Sequence, residues 1–206
     1  MTPLGRNPVA RLRKDGRFTE REFGFLRENA GNLRTKVTIP SPAYLARACF
    51  QQGNGYSSPD ELLADRTEII RSEIAALRAD GVGYVQLDEG FLAMTSRSSW
   101  EALYASGTAL QGRLQRDIEA ENACHDVLEG KIAVLGLVTT KDAHLGKPAD
   151  LLRRIDEAAR FCPLERLAIS PQCGFFHGAE DTTMTLDDQW RKLELIVDIA
   201  SKVWAR

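Results

Sequence analysis

The sequence lacks any apolar run long enough to cross a membrane as a helix. It is 43% hydrophobic over 206 residues, but its apolar stretches fall well short of the roughly 20 residues that a transmembrane helix needs. The N-terminal segment contains arginines and has no apolar core of the kind found in signal peptides. We therefore expect a cytoplasmic protein with no membrane partner.

Cysteine is scarce and is never paired in the sequence. The four cysteines lie far apart, and no two of them form a C-x-x-C motif: they are Cys49, Cys124, Cys162 and Cys173. In a reducing compartment, this spacing favours free thiols or a single metal ligand over a disulfide framework.

An excess of charge of one sign is also absent. The chain carries 27 Lys and Arg residues against 29 Asp and Glu residues, for a net charge of -2, and the two signs are interspersed. Without a broad basic field, nucleic acid is not expected as the main partner. The length suits one well-packed domain and is short for two. We expect a single domain over residues 1–206, with residues 1–17 irregular.

The sequence does contain an alternation of strand-like and helical segments. Strands are predicted near Lys36, Val82, Lys131 and Leu167. Helices are predicted after capping-box residue Thr19, after Ser58, from Ser98 to about Ala123, after Pro148 and after Thr185. This order predicts an α/β fold of βα repeats. The apolar run over 131–138 predicts a strand covered on both faces, as in a parallel sheet.

The segment over 167–175, with the sequence LAISPQCGF, places a thiol just after a short buried strand. Cys173 would then lie at the carboxyl end of that strand, where α/β folds keep their chemistry. The alternative is that Cys173 is a small buried apolar residue, as cytosolic cysteines often are.

Two adjacent acids follow another predicted strand. Asp88 and Glu89 would repel each other at the end of a buried strand, so their presence indicates a cation, an amine or a metal nearby. A solvated loop end is the competing explanation. The first strand stops at residues 40–42, Pro-Ser-Pro.

Three short segments resemble the catalytic domain of the cobalamin-independent methionine synthase family. They are SPQCGF over 170–175, GLVTTK over 136–141 and VQLDE over 85–89. The resemblance is specific over 131–204, fair over 36–94 and poor between. It implies a (β/α)₈ barrel whose zinc ion binds the thiol of homocysteine.

The resemblance also implies roles for individual residues. Cys173 matches a zinc ligand of the family, and Asp88 matches the acid that holds the amino group of homocysteine. Under the methyl-transfer hypothesis, Asp88 and Glu89 are the predicted catalytic residues, with Glu89 supporting Asp88 or steering the substrate. Ser41 falls on a turn that faces the substrate in relatives, although a plain strand stop is an equal alternative.

The chain is too short for the complete barrel. A closed (β/α)₈ barrel takes about 250 residues and eight strands, so we expect a shortened or incomplete TIM-barrel-like fold. The shortage lies between Met94 and Lys131, where relatives carry a His-x-Cys pair and a glutamate that complete the zinc site. Substitute ligands would be His177, Cys124 and His125, with Glu180 and Asp181 nearby. Each of these is otherwise an ordinary loop residue.

These observations lead to three functional hypotheses. The first is zinc-assisted methyl transfer to a thiol such as homocysteine, from a folate or a corrinoid donor. The second is a degenerate relative without a complete zinc site, which binds a small amino acid or thiol or catalyses a different biosynthetic reaction. The third is a structural domain with an inert cysteine. The first two require Cys173, Asp88 and Glu89 to converge on one pocket.

An incomplete barrel has a further consequence for assembly. Its terminal strands would present unpaired N–H and C=O groups, which proteins normally cover. Two copies of the chain can cover these edges by associating. We therefore expect a homodimer or a larger homo-oligomer.

Overall fold

A computed structural model describes residues 10–53, 55–88, 108–125, 130–172, 174–175 and 184–204. The chain divides into two compact units, Met1–Glu129 and Gly130–Arg206, and each is described by itself. The expectation of one domain over residues 1–206 stays a prediction. Within the described ranges, no helix is long and apolar enough to span a bilayer.

The described part of the first unit contains two parallel strands and four helices. In chain order they are α1 (Glu20–Asn29), β1 (Lys36–Pro40), α2 (Pro42–Cys49), α3 (Pro59–Ala79), β2 (Tyr84–Asp88) and α4 (Thr108–His125). All of them except α2 match predicted elements, and residues 98–107 of the predicted fourth helix lie outside the described residues. β1 pairs with β2 from Lys36 opposite Tyr84 to Pro40 opposite Asp88.

Helix α3 begins and ends where the sequence predicts. The Ser58 hydroxyl accepts a hydrogen bond from the Glu61 backbone N–H at 3.2 Å, and Pro59 occupies the first helical position. Gly81 follows the helix with φ 84°, a conformation that favours glycine. Because parallel strands cannot be joined by a hairpin, α3 serves as the crossover between β1 and β2.

The core of the first unit lies on one face of the β1–β2 sheet. Val37 and Ile39 of β1 are buried against Phe23 of α1 and the apolar face of α3. The alternate residues of β1, Lys36, Thr38 and Pro40, are exposed. Among the residues that the structure describes, the helices therefore cover one face of this sheet and leave its other face open.

The capping box predicted at Thr19 does not form. Thr19 precedes α1 but makes no side-chain cap; instead, its hydroxyl donates to the fully buried carboxylate of Glu73 on α3. The same carboxylate binds Lys14 Nζ at 3.0 Å and Arg17 Nε at 3.3 Å. Residues 10–18 form neither helix nor strand, and these ion pairs hold the segment against α3.

Cys124, one of the candidate metal ligands, lies in the core of the first unit. Its side chain is fully buried with Ile70, Ile74 and Leu77, and its thiol lies 3.7 Å from the Thr67 carbonyl oxygen. Burial, reinforced by the Glu121 carboxylate, raises the pKa of the Cys124 thiol to about 12. A metal ligand must be a thiolate, so this environment favours a packing role for Cys124.

The second unit is a βαβα arrangement. Its elements are β3 (Ala133–Val138), α5 (Pro148–Ala159), a 3₁₀ turn (Leu164–Arg166), β4 (Leu167–Pro171) and α6 (Leu186–Trp204). The strands are parallel, with Ala133 opposite Leu167. The capping box predicted at the start of α6 is confirmed: Thr185 and Asp188 exchange hydrogen bonds between side chain and backbone. The core consists of Val138, Leu151, Ile155, Leu195 and Ile199.

The prediction that the strand over 131–138 is covered on both faces is wrong for this unit. Leu135 and Leu137 pack towards α5 and α6, but Ile132 and Val134 are 49% and 43% exposed. The reason is that α5 and α6 share one core with a two-stranded sheet, so the described part of the unit has nothing on the opposite face.

Replacing Glu73 by Gln is expected to lower the free energy of unfolding by about 2 kcal/mol, because charge-assisted hydrogen bonds are lost from a buried site. Burial alone would raise the pKa of the Glu73 carboxyl, but hydrogen bonds from Thr19 and Lys14 outweigh it and the net pKa lies below the ordinary 4.5. The stabilisation is therefore complete above about pH 4.5 and is lost as the pH falls through the lower folded-state pKa. Urea denaturation between pH 3 and pH 7 measures it.

The matched control is Glu68→Gln on the same helix, where the side chain is largely exposed and forms only a surface ion pair with Arg71. Its effect should stay below about 0.5 kcal/mol. Equal effects of the two substitutions at neutral pH would contradict the role assigned to Glu73.

Replacing Cys124 by Ala is expected to lower the free energy of unfolding by about 1 kcal/mol, through lost packing, and to leave the metal content of the purified protein unchanged. In native protein, Cys124 should resist thiol reagents while the partly exposed Cys162 reacts. Mass spectrometry of labelled peptides and elemental analysis test both statements. Loss of bound metal in Cys124→Ala would restore Cys124 as a ligand.

Candidate functional site

The carboxyl edge of the β1–β2 sheet brings two predicted site residues together. Ser41 follows β1 directly, and Asp88 is the last residue of β2. The Ser41 backbone N–H donates to the Asp88 carbonyl oxygen at 3.1 Å. Parallel pairing aligns the carboxyl ends of the two strands, and this is where α/β folds place their ligands.

Ser41 has a clear structural role at this edge. It is fully buried, and its hydroxyl accepts a hydrogen bond from the Tyr44 backbone N–H at 3.0 Å. With Pro42 in the first helical position, it caps the N-terminus of α2. The Pro-Ser-Pro stop thus ends a strand and begins a helix that the sequence analysis missed. Contact between Ser41 and a substrate stays a prediction.

Asp88 lies on the open face of the sheet. Side chains alternate along a strand, so Asp88 shares a face with Gln86 and Tyr84, away from the core-facing side chains of β1 and β2. The Asp88 side chain is exposed. Glu89, the second predicted acid, lies outside the described residues. A carboxylate in this position can take a cationic group from solvent without rearranging the core.

The open face carries polar side chains that the sequence analysis did not identify as part of a site. Lys36 Nζ donates to Gln86 Oε1 at 3.1 Å and lies 6.0 Å from the centre of the Tyr84 ring. Thr38 lies directly opposite Gln86. The signal was present in the alternation of polar and apolar residues in KVTIP and YVQLD, which was interpreted only as evidence for strands.

In the second unit, the described residues include the carboxyl end of β4, next to the predicted position of Cys173. β4 ends at Pro171, and the Gln172 backbone N–H donates to the Val138 carbonyl oxygen at 2.9 Å. A side chain at Gly136 would put its Cβ 3.2 Å from Gln172 Cα, so glycine allows the two strands to approach here. Cys173 and His177 lie outside the described residues, and their convergence with Asp88 stays a prediction.

A buried lysine lies beside the same edge of the second unit. Lys192 of α6 is fully buried, and its ammonium group donates to the His144 carbonyl oxygen in the loop that follows β3. Burial lowers the pKa of Lys192, against the opposing effect of the Asp142 and Asp188 carboxylates. Lys192 therefore anchors the loop after β3 to α6, and the sequence analysis did not single it out.

The described residues do not form a zinc site. Across the parts of the chain that the structure describes, no three His, Cys, Asp or Glu side chains are grouped so that they could hold a metal ion. Cys124 packs in a core, and His125 is the last residue of α4 with its side chain outside the described residues.

A cavity of about 360 Å³ lies elsewhere in the first unit. It is lined by residues 13–18 and Ile69 and contains none of the predicted site residues. Two of its cationic side chains already have partners, since Lys14 binds Glu73 and Arg17 binds Glu73 and Asp80. It is an open groove along the N-terminal segment, and the charges of Lys14 and Arg17 are already paired with carboxylates.

Two proteins of Bacillus subtilis (strain 168) are similar in sequence. The chain is 49% identical to the uncharacterized protein YxjG over 246 residues and 29% identical to the uncharacterized protein YxjH over 245 residues. Each match covers 89% of this chain and 65% of the relative, so the chain spans less than two thirds of either protein. No model of a protein family matches the sequence.

The two alignments also show a difference in length within the matched stretch. Since 89% of 206 residues is about 183, an alignment over 246 positions leaves about 60 positions of each relative without a counterpart here. That this chain is shorter than its relatives within the match follows from these numbers, and the placement of the shortage between Met94 and Lys131 stays a prediction.

Two solved structures share the fold. A protein from Listeria monocytogenes described as a vitamin-B12-independent methionine synthase has a TM-score of 0.54 at 24% identity, over 98% of this chain and 73% of that one. A B12-independent methionine synthase from Shewanella sp. W3-18-1, in complex with selenomethionine, has a TM-score of 0.57 at 14% identity, over 95% and 69%. The chain therefore shares its fold with proteins described as B12-independent methionine synthases.

Proposed function

We propose that this chain binds a small thiol-bearing amino acid of the homocysteine type at the carboxyl edge of β1 and β2, and that it takes part in methyl transfer to the thiol. One observation supports this above the others. Asp88 presents an exposed carboxylate at the carboxyl end of a parallel strand pair, in a fold shared with B12-independent methionine synthases.

The recognition chemistry follows from the groups on the open face. An ammonium group pairs with a carboxylate through short, charge-assisted hydrogen bonds, and Asp88 supplies the carboxylate. Gln86 and Thr38 add an amide and a hydroxyl on the same face. They lie two residues before Asp88 and Pro40 in their strands. In the transfer itself, the sulfur attacks the methyl carbon as a thiolate. A new S–C bond forms, and the donor departs with the electrons of the broken bond.

Zinc is a separate proposal and rests on residues outside the described ranges. Cys173 would be its ligand. The other predicted ligands are His177, the side chain of His125, and Cys124. Cys124 is the weakest of them because its thiol is buried and protonated. The methyl donor would be a folate or a corrinoid. We also propose that the βα repeats form a shortened (β/α)₈ barrel.

A second candidate is binding without turnover. The relatives carry about 60 positions in the matched stretch that this chain lacks. A chain that keeps the edge with Asp88 but lacks the metal site would hold an amino acid and leave it unchanged.

Replacing Asp88 by Asn is expected to weaken homocysteine binding about 10-fold or more, because one charge-assisted interaction with the substrate ammonium is lost. Titration calorimetry with homocysteine and with methionine measures the change. Asp156→Asn is the matched control, since Asp156 is an exposed acid on α5 and its loss should leave affinity unchanged. Equal affinities for wild type and Asp88→Asn would remove Asp88 from the site.

Metal content and turnover separate the two candidate functions. If methyl transfer is correct, the purified protein should bind zinc at about one ion per chain, Cys173→Ser should lose it, and methionine should form from homocysteine and a methyl donor. Elemental analysis and chromatography of the product provide the readouts. Homocysteine binding in a metal-free protein that forms no methionine would instead establish the binding function.

A further inference from the structure

The polar side chains on the open face of the β1–β2 sheet are only partly paired with one another. Lys36 Nζ donates to Gln86 Oε1 at 3.1 Å and lies 6.0 Å from the centre of the Tyr84 ring. Within the described ranges, neither the NH₂ group of Gln86 nor the carboxylate of Asp88 has a side-chain partner. A donor group and an acceptor group therefore remain available on one face.

Lys36 determines which way the Gln86 amide faces. An ammonium group has three N–H donors and no acceptor, so it binds the oxygen of a carboxamide and not its nitrogen. Lys36 lies opposite Tyr84, two residues before Gln86, and the amide oxygen is therefore turned towards the amino end of the sheet. The NH₂ group, the other branch of the amide, is left for the side on which Asp88 lies.

We propose that Gln86 binds the α-carboxylate of the substrate, so that Gln86 and Asp88 together select a free α-amino acid, and that Lys36 is a positioning residue that orients the Gln86 amide for this contact. The inference rests on the proposed function and adds to it the second charged group of the substrate. Asp88 accepts from the ammonium group, and the NH₂ group of Gln86 donates to a carboxylate oxygen.

The spacing along β2 suits an ammonium group and a carboxylate on one carbon atom. Gln86 and Asp88 are two residues apart on the same strand and share a face, so their Cα atoms are separated by about 7 Å. Hydrogen bonds of about 2.9 Å from the two side chains leave room for two ligand groups joined through a single carbon. A ligand whose charged groups are several bonds further apart would miss one of the two side chains.

Two further features of this face favour a carboxylate beside Gln86. The exposed Thr38 lies directly opposite Gln86, on strands about 4.8 Å apart, so its hydroxyl can donate to the second carboxylate oxygen. The Lys36 ammonium group adds a positive charge on the same face, and its bonded partner is the neutral Gln86 rather than Asp88. The substrate carboxylate would thus meet donors and a positive charge.

Titration calorimetry with two ligands tests the inference. The ligands are homocysteine and aminopropanethiol, its decarboxylated form, which keeps the thiol and the amine. Wild type should bind homocysteine at least about 10-fold more tightly, the effect of hydrogen bonds to a charged group. Gln86→Leu should remove most of this preference by weakening homocysteine binding alone. Gln86→Glu should reverse the preference, because its carboxylate repels that of homocysteine and attracts the amine.

Matched variants separate the positioning role of Lys36 from its charge. Lys36→Arg keeps a donor towards Gln86 and should retain the preference, whereas Lys36→Met lets the amide turn and should reduce it about threefold. Arg34→Met removes a cation just before β1 and Gln115→Leu removes an exposed amide on α4, and both should leave the preference unchanged. Circular dichroism verifies that every variant is folded.

Three results would overturn the inference without touching the proposed function, provided that Asp88→Asn still weakens homocysteine binding. Wild type could bind the two ligands equally. Gln86→Leu could weaken both ligands to the same extent, which would show that Gln86 acts only through the fold of β2. Lys36→Met could keep the full preference, which would remove the positioning role. A wild type that binds neither ligand would instead refute the proposed function, and this inference with it.

Discussion

Parallel pairing of strands is the constraint on which the other features depend. A parallel partner cannot be reached by a tight turn, so the chain must return along the sheet through a crossover. In the first unit α3 makes this crossover, and in the second unit α5 makes it. The same pairing aligns the carboxyl ends of the strands, which brings Ser41 beside Asp88 and Gln172 beside Val138. The candidate site is therefore a consequence of strand direction.

A second feature shared by the two units is that the described helices cover only one face of each sheet. Each described unit places its helices on one side of a two-stranded sheet, and the other side carries exposed residues. In the first unit that side is polar, with Lys36, Gln86 and Asp88, and suits a small charged ligand. In the second unit the corresponding side of β3 is apolar at Val134. The two open faces thus differ in chemistry, although both arise from the same βα architecture.

Buried charges hold the segments that the strands and helices do not order. Glu73 binds Lys14 and Arg17 and keeps an irregular segment on α3, and Lys192 holds the loop after β3 through one backbone carbonyl. Both charged groups occupy helices, whose rigid backbone fixes the position of the charge. Segments without secondary structure of their own gain order in this way.

Much of the fold was accessible from local sequence. The strands and helices were predicted because each depends on neighbouring residues: Ser58 and Pro59 start α3, Thr185 and Asp188 start α6, and apolar periodicity marks the faces that pack. Helix α2 was missed because Pro40 and Pro42 were interpreted as a strand stop, although Ser41 and Pro42 repeat the Ser-Pro start of α3. The hydrogen bond from Tyr44 to Ser41 shows that a helix begins there.

The candidate site residues also fall into those that local sequence predicts and those whose role depends on tertiary contacts. The sequence by itself determined that Asp88 ends a strand, because alternation and the following residues are local properties. Tertiary structure alone decided that Cys124 lies in a core, that Thr19 binds Glu73, and that one face of α6 stays exposed. Burial and the choice of hydrogen-bond partner depend on segments that are distant in the chain. No local pattern specifies which of these segments will come into contact.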